Sequence, residues 1–132
     1  MAKLSAVKQS LTKQNQGVWI TWEGMRFRVG RIGNAKAKAL IAEESARNRE
    51  RKERGEPQRA WDDFWPECIA KAILLDWADV EREDGSVWPF SVEDALAVLK
   101  DPAFSDLRQA IELEAASREN FLEQADQAAE KN

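Results

Sequence analysis

The side chains best suited to chemistry are carboxylates that fall in pairs: Asp62-Asp63, Asp76 with Asp79, and Glu83-Asp84. Neighbouring carboxylates can relay a proton or hold magnesium. The chain has no His and no Tyr, so the base that usually works near neutral pH is missing and only Lys could assist. Each pair also falls where a solvated helix face or a turn would put it, and that reading is preferred. The lone Cys68 cannot form an internal disulfide, and it sits at an apolar position with no imidazole to activate it, as a buried inert thiol would. No Cys/His ligand set exists, and Gly30 and Gly33 flank Arg31-Ile32 without the residues of a phosphate-binding loop. The inventory points to a non-enzymatic protein with no metal and no cofactor, whose work is binding.

Charge is divided along the chain. Residues 1–59 carry 14 Lys/Arg against 6 Asp/Glu, a net of +8, whereas residues 60–132 carry 6 against 18, a net of −12. Such polarity suits packing of one half on the other, head-to-tail self-association, or two different partners, and charge alone does not choose among them. The basic residues Arg26, Arg28, Arg31, Lys36 and Lys38 could follow nucleic-acid phosphates, although Glu43, Glu44, Glu50 and Glu53 dilute the field further along. No apolar run is longer than about five residues, so neither a membrane span nor a secretory signal is expected and the protein is assigned to the cytoplasm.

The elements that must position these side chains follow from periodicity. With 132 residues, 43% hydrophobic and 33% charged, one globular domain is expected. Residues 1–16 read as a flexible or docking N-terminal arm with sparse apolar positions at Leu4, Val7 and Leu11. Residues 17–30 form the clearest hairpin signal, turning at Glu23-Gly24. A two-residue loop would pair Trp22 with Met25, Ile20 with Phe27 and Val18 with Val29 on an apolar face, leaving Trp19 opposite Arg28 on the other, while a bulged loop would shift the register by one. Asn34 then caps a helix through Leu40 and Ile41 into the apolar-free run RNRERKERGE, a charged spur ended by Gly55 and Pro57.

Trp61, Phe64, Trp65, Cys68, Ile69, Ala72 and Ile73 repeat at 3-4 spacing and mark the central core helix, with Pro66 either near its start or at a kink. A turn at 83–86 leads to a short helix capped by Ser91, and Asp101-Pro102 starts a long one with apolar positions from Phe104 to Ala125. The expected fold is mainly α with a small N-terminal β-hairpin, about four helices in a single domain over 17–125, and a polar tail at 126–132. Six Trp are more than such a core requires, and Trp is a favoured interface anchor. Trp22, Trp65 and Trp77 are read as core. Trp19, Trp61, Trp88 and Phe90, with Arg28 and Phe121, are the candidates for contact with partners.

Leu74-Leu75-Asp76-Trp77-Ala78-Asp79-Val80, then Asp84-Gly85, then Pro89-Phe90-Ser91 before an amphipathic helix, resembles the central signature of tail assembly chaperones of long-tailed, lambda-like bacteriophages. The hairpin ending Arg31-Ile32-Gly33-Asn34 and the charged helix after it are similar in order to that family's N-terminal part, although this chain lacks the aromatic that many members carry after the Asn. The resemblance spans roughly residues 17–122. It implies a factor of the host cytoplasm, absent from the mature virion, that coats the tape measure protein and recruits major tail tube protein around it. It also implies a longer form of the protein made by −1 ribosomal frameshifting, to which Glu130-Lys131-Asn132 adds a hint because GAA AAA AAC contains a slippery run. Homo-oligomerisation is compatible with this role. The rival expectation is a small phage or prophage DNA-binding regulator using the basic N-terminal half.

Overall fold

The hairpin is the first element whose geometry follows from its residues. In the computed structural model, which describes residues 1–124, β1 (Val18–Trp22) and β2 (Met25–Val29) are joined through Glu23 at φ 51° and Gly24 at φ 78°. Two successive positive φ values match the right-handed twist of the flanking strands. The unbulged register results: Val18 faces Val29, Ile20 faces Phe27, Trp22 faces Met25, and Trp19 faces Arg28.

A third strand, β3 (Leu74–Ala78), pairs antiparallel with β2, giving a sheet of order β1-β2-β3. Phe27 lies opposite Trp77, Arg28 opposite Asp76 and Val29 opposite Leu74, with Leu75 as the extra residue at a bulge. This corrects the expectation of a mainly helical protein with only a hairpin: among the described residues the fold is five α-helices, with short 3-10 and π segments, around a three-stranded antiparallel sheet. The physical reason lies in β2. An isolated hairpin is marginal, and its open edge exposes amide and carbonyl groups that need partners. The stretch Ile73-Leu74-Leu75-Asp76-Trp77 can continue a helix or form a strand by periodicity, and the edge of β2 decides for the strand.

Helix α1 (Leu11–Gln16) is capped by Ser10, and α2 (Ala35–Glu53) by Asn34, whose side-chain oxygen accepts from Ala37 N. Only Ala37 and Glu44 are buried along α2, and its second half does not project freely as expected: Asn48 donates to Arg59 O and accepts from Arg59 N, and Glu44 pairs with Arg51 and Arg59. Helix α3 (Trp61–Cys68) begins at Trp61 with Asp62 and Asp63 in its first turn, where carboxylates suit the helix dipole. Pro66 lies inside it and cannot donate to a preceding carbonyl. Three residues later the backbone widens into a π-helical turn, Ile69–Ile73, closed by Leu74 N donating to Ile69 O. Phe64, Trp65, Cys68, Ile69, Ala72 and Ile73 are all buried, so the core helix signal holds over α3 and this turn except at its first position, Trp61, which is exposed.

Helices α4 (Val92–Lys100) and α5 (Ser105–Ala116) follow, the second entered through a 3-10 turn, Pro102–Phe104, capped by Asp101. Helix α5 is shorter than expected. Asn120 Nδ2 donates to the Glu114 carbonyl at 3.0 Å, and a 3-10 turn at Arg118–Phe121 swings Phe121 fully into the core. Ala125 and the tail at 126–132, including the Glu130-Lys131-Asn132 triplet, lie outside the described residues.

The arm at 1–16 has two parts. Residues 8–16 are fastened to the body: Ser10 N donates to Phe121 O, Arg31 N to Gln14 O, and Glu123 N to Lys8 O. The segment before them forms an exposed 3-10 turn, Leu4–Val7, with no buried residue. Among the described residues no helix is long and apolar enough to cross a membrane.

Candidate functional site

A groove of about 410 Å³ opens at the turn end of the hairpin, between the sheet and the entry to α5. Its floor is the apolar sheet face, Phe27 and Trp77, both buried. Trp22 and Met25 form one wall, because a two-residue turn leaves no chain to cover the last cross-strand pair. Val80 and Trp88 form a second wall, and Val98, Ala103, Phe104 and Leu107 the third.

The Trp88 wall is held by a dense local network. Residues 80–88 double back on themselves: Trp88 N donates to Val80 O at 2.9 Å, Arg82 N to Ser86 O at 2.8 Å, and Glu81 bridges Val87. Asp84 accepts from both the hydroxyl and the amide of Ser86, in that order the main reasons its carboxyl is held below the usual range. Trp77 Nε1 donates to the Trp88 carbonyl at 2.6 Å, and the rings of Trp88 and Phe90 both meet Trp77 edge-on, at 5.4 and 5.2 Å. Trp88 Nε1 donates to Asp94 Oδ2 at 3.0 Å. This bond first, and the Ser91 hydroxyl second, lower the Asp94 pKa. A rigid aromatic wall follows from these contacts.

Glu81, Glu83 and Asp106 stand at the rim. None has an ion-pair partner among the described residues, and all three are exposed. The site is therefore an apolar cleft with three carboxylates and one cation at its edge, the Arg82 guanidinium lying 5.9 Å from the Trp88 ring, a net negative fringe suited to burying an apolar side chain carried between cations.

The expected contact residues separate. Trp88 lines the groove, whereas Phe90 does not: it packs edge-on against Trp77 and faces a separate depression with Arg28, Lys36 and Leu75. Trp19, 46% exposed, lies on the opposite sheet face beneath Arg26, whose guanidinium is 5.3 Å from its ring. Arg28 is on that same face and donates to the Gln16 carbonyl. Trp61, 52% exposed, is elsewhere, stacked on Trp65 at 5.1 Å. Phe121 is a correction: it is 0% exposed, under the Arg31 guanidinium at 5.4 Å, and offers nothing to a partner. Sequence reasoning did not single out Met25, Phe104, Glu81 or Asp106 for this site, named Glu83 only as half of a carboxylate pair, and read Trp22 as core, against which it does pack while lining the groove. The available signal was Trp22-Glu23-Gly24-Met25, two large apolar residues on a turn too tight to be covered.

Of the other residues singled out for chemistry, some are held by local contacts and some only begin a helix. Asp79 binds Arg26 at 2.7 Å, Asp76 accepts from Trp77 N, and Asp62 and Asp63 open α3. Burial raises the Cys68 thiol to about 11, assisted by the nearby Glu67 charge. Glu67 itself is held low by hydrogen bonds from Lys71 and then Arg59, both at 2.6 Å.

No curated protein and no solved structure matches this chain. A family model described as YdaY prophage protein matches residues 31–132, which contain β3, the 80–88 loop, α4 and α5 and thus most of the groove. The protein is of phage or prophage origin, and the chain belongs to the YdaY prophage protein family.

Proposed function

We propose that this prophage protein is a non-catalytic tail assembly chaperone that binds the tape measure protein in the host cytoplasm, helps recruit major tail tube protein to it, and is left out of the finished virion. The observation that carries the reading is the open apolar groove with its unpaired acidic rim. A pre-formed cleft of this kind takes apolar side chains from one face of a helix, and each one buried contributes about 1.5–3 kcal/mol. Membership of a prophage family supports the setting. The residues that resemble the chaperone signature also build the site: Leu74–Ala78 is β3, Asp84-Gly85 closes the 80–88 loop, and Pro89-Phe90-Ser91 delivers the cap of α4. A frameshifted longer form belongs to the same proposal.

The DNA-binding reading has less behind it. Arg26 is paired with Asp79, and Arg28 donates to the Gln16 carbonyl with Asp76 facing it across the sheet, so the hairpin arginines are engaged from within.

Co-expression with the tape measure protein of the same prophage tests the proposal. The tape measure protein should shift from the pellet to the soluble fraction and co-purify with this chain. An insoluble tape measure protein and a chain that elutes alone would overturn it.

A further inference from the structure

We infer that, in the absence of a client, the groove of one molecule is occupied by the N-terminal 3-10 turn of a second copy, so that the protein associates head to tail. The groove requires an apolar insert bearing positive charge, and this chain carries one. Leu4 and Val7 are 89% and 49% exposed, the first among the most exposed large apolar residues described. In a 3-10 turn, residues three apart eclipse one another, which puts these two side chains on one side as a single knob. Lys3 and Lys8 flank them, and no acidic residue occurs before Glu23. Lys8 has only a loose, exposed pairing with Glu123 at 3.4 Å. The knob therefore complements the groove twice, apolar against apolar and lysine against the carboxylates of Glu81, Glu83 and Asp106.

The geometry favours a second copy over the molecule's own arm. The arm leaves the body where Gln9 bridges Leu122, and α1 then runs into the Val18 end of the hairpin. The groove lies at the other end, beside Trp22 and Met25. The turn's own hydrogen bonds, Ala6 N to Lys3 O and Lys8 N to Ser5 O, keep it folded back on itself rather than stretched along the sheet. Knob and groove are different surfaces, so the contact is heterologous and each added molecule presents a fresh groove and a fresh knob. If the chaperone reading holds, such an array would release its grooves one by one to a long client; the association itself does not depend on that reading.

Sedimentation velocity of the full chain, without any client, tests the inference. From about 1 to 500 μM the wild type should grow from monomer through dimer to larger species, and added salt should weaken the growth because the lysine–carboxylate contacts are screened. Leu4→Asp/Val7→Asp removes the knob and Glu81→Lys/Glu83→Lys reverses the rim, both at exposed positions that leave the core untouched. Each variant alone should remain monomeric. Mixed in equal amounts they should form a dimer and nothing larger, because only one knob and one groove in each pair are intact. A wild type that stays monomeric throughout, variants that associate like the wild type, or a mixture that stays monomeric would overturn the inference. None of these outcomes touches the tape measure co-purification, so the two proposals fail separately.

Discussion

Asn34 joins three parts of the fold through one side chain, and replacing it has a cost that can be worked out. Its oxygen accepts from Ala37 N at 2.9 Å and caps α2, while its Nδ2 donates to the carbonyls of Ala72 and Arg31, both at 2.8 Å. Ala72 precedes the end of the π turn at Ile73, so its carbonyl has no helical amide ahead of it, and the residue is 1% exposed. Asn34→Ala loses the cap, about 1 kcal/mol, and leaves a buried carbonyl short of its donor, about 1–3 kcal/mol. The expected loss is roughly 3 kcal/mol, or a fall in Tm of about 10 °C for a domain of this size. Asn34→Asp separates the two contributions. It keeps the cap acceptor but turns a carboxylate toward two carbonyl oxygens, so at pH 7 it should be worse than Ala. The introduced group's folded-state pKa would be raised, so its penalty should shrink as the pH is lowered toward 4 and the protonated oxygen can donate. Urea unfolding followed by circular dichroism at pH 7 and pH 4.5 measures both effects. An Ala variant within about 0.5 kcal/mol of wild type, or an Asp variant as stable as wild type at pH 7, would refute this account of Asn34.

Three further outcomes are expected. Cys68, with its thiol raised to about 11, should not react with a thiol reagent at pH 8 in the native protein and should react fully in guanidinium. Asp94 is held low in the folded state, so its contribution to stability is complete above its unfolded value and is lost as the pH falls through the folded one; Trp88→Phe removes the largest cause, and an NMR titration should then show the Asp94 carboxyl moving up. Gly17→Ala should destabilise by about 2–3 kcal/mol in thermal unfolding, because φ is 84° there and an added Cβ would lie 3.0 Å from Leu75 and 3.1 Å from the Val29 backbone.

How much of this could be read from residue order alone varied with the range of the interaction concerned. The hairpin register was legible because alternation and a two-residue turn determine it locally. The caps at Asn34, Ser91 and Asp101 were legible for the same reason. Strand β3 was not, because Leu74-Leu75-Asp76-Trp77 satisfies either periodicity and its pairing with β2 spans more than forty residues of sequence. The end of α5 was likewise hidden: the apolar stripe permits continuation, and the break comes from the buried site for Phe121 and the turn that Asn120 stabilises. Of the candidate site, Trp88 could be named because a Trp-Pro-Phe segment before a helix cap is hard to bury completely, but Phe90 lies outside the groove. Phe104, Glu81, Glu83 and Asp106 could not, since they converge only once the 80–88 loop and the entry to α5 are set beside the hairpin turn.

The central claim is that the groove is where this protein holds another. Its most direct test places a photo-crosslinking amino acid at Phe104, at the groove, or at Leu113, equally apolar, 63% exposed and away from it, in cells also making the tape measure protein. The account predicts crosslinks to the tape measure protein from position 104 and none from position 113. Equal crosslinking from both positions, or none from 104 while the two proteins still co-purify, would contradict it.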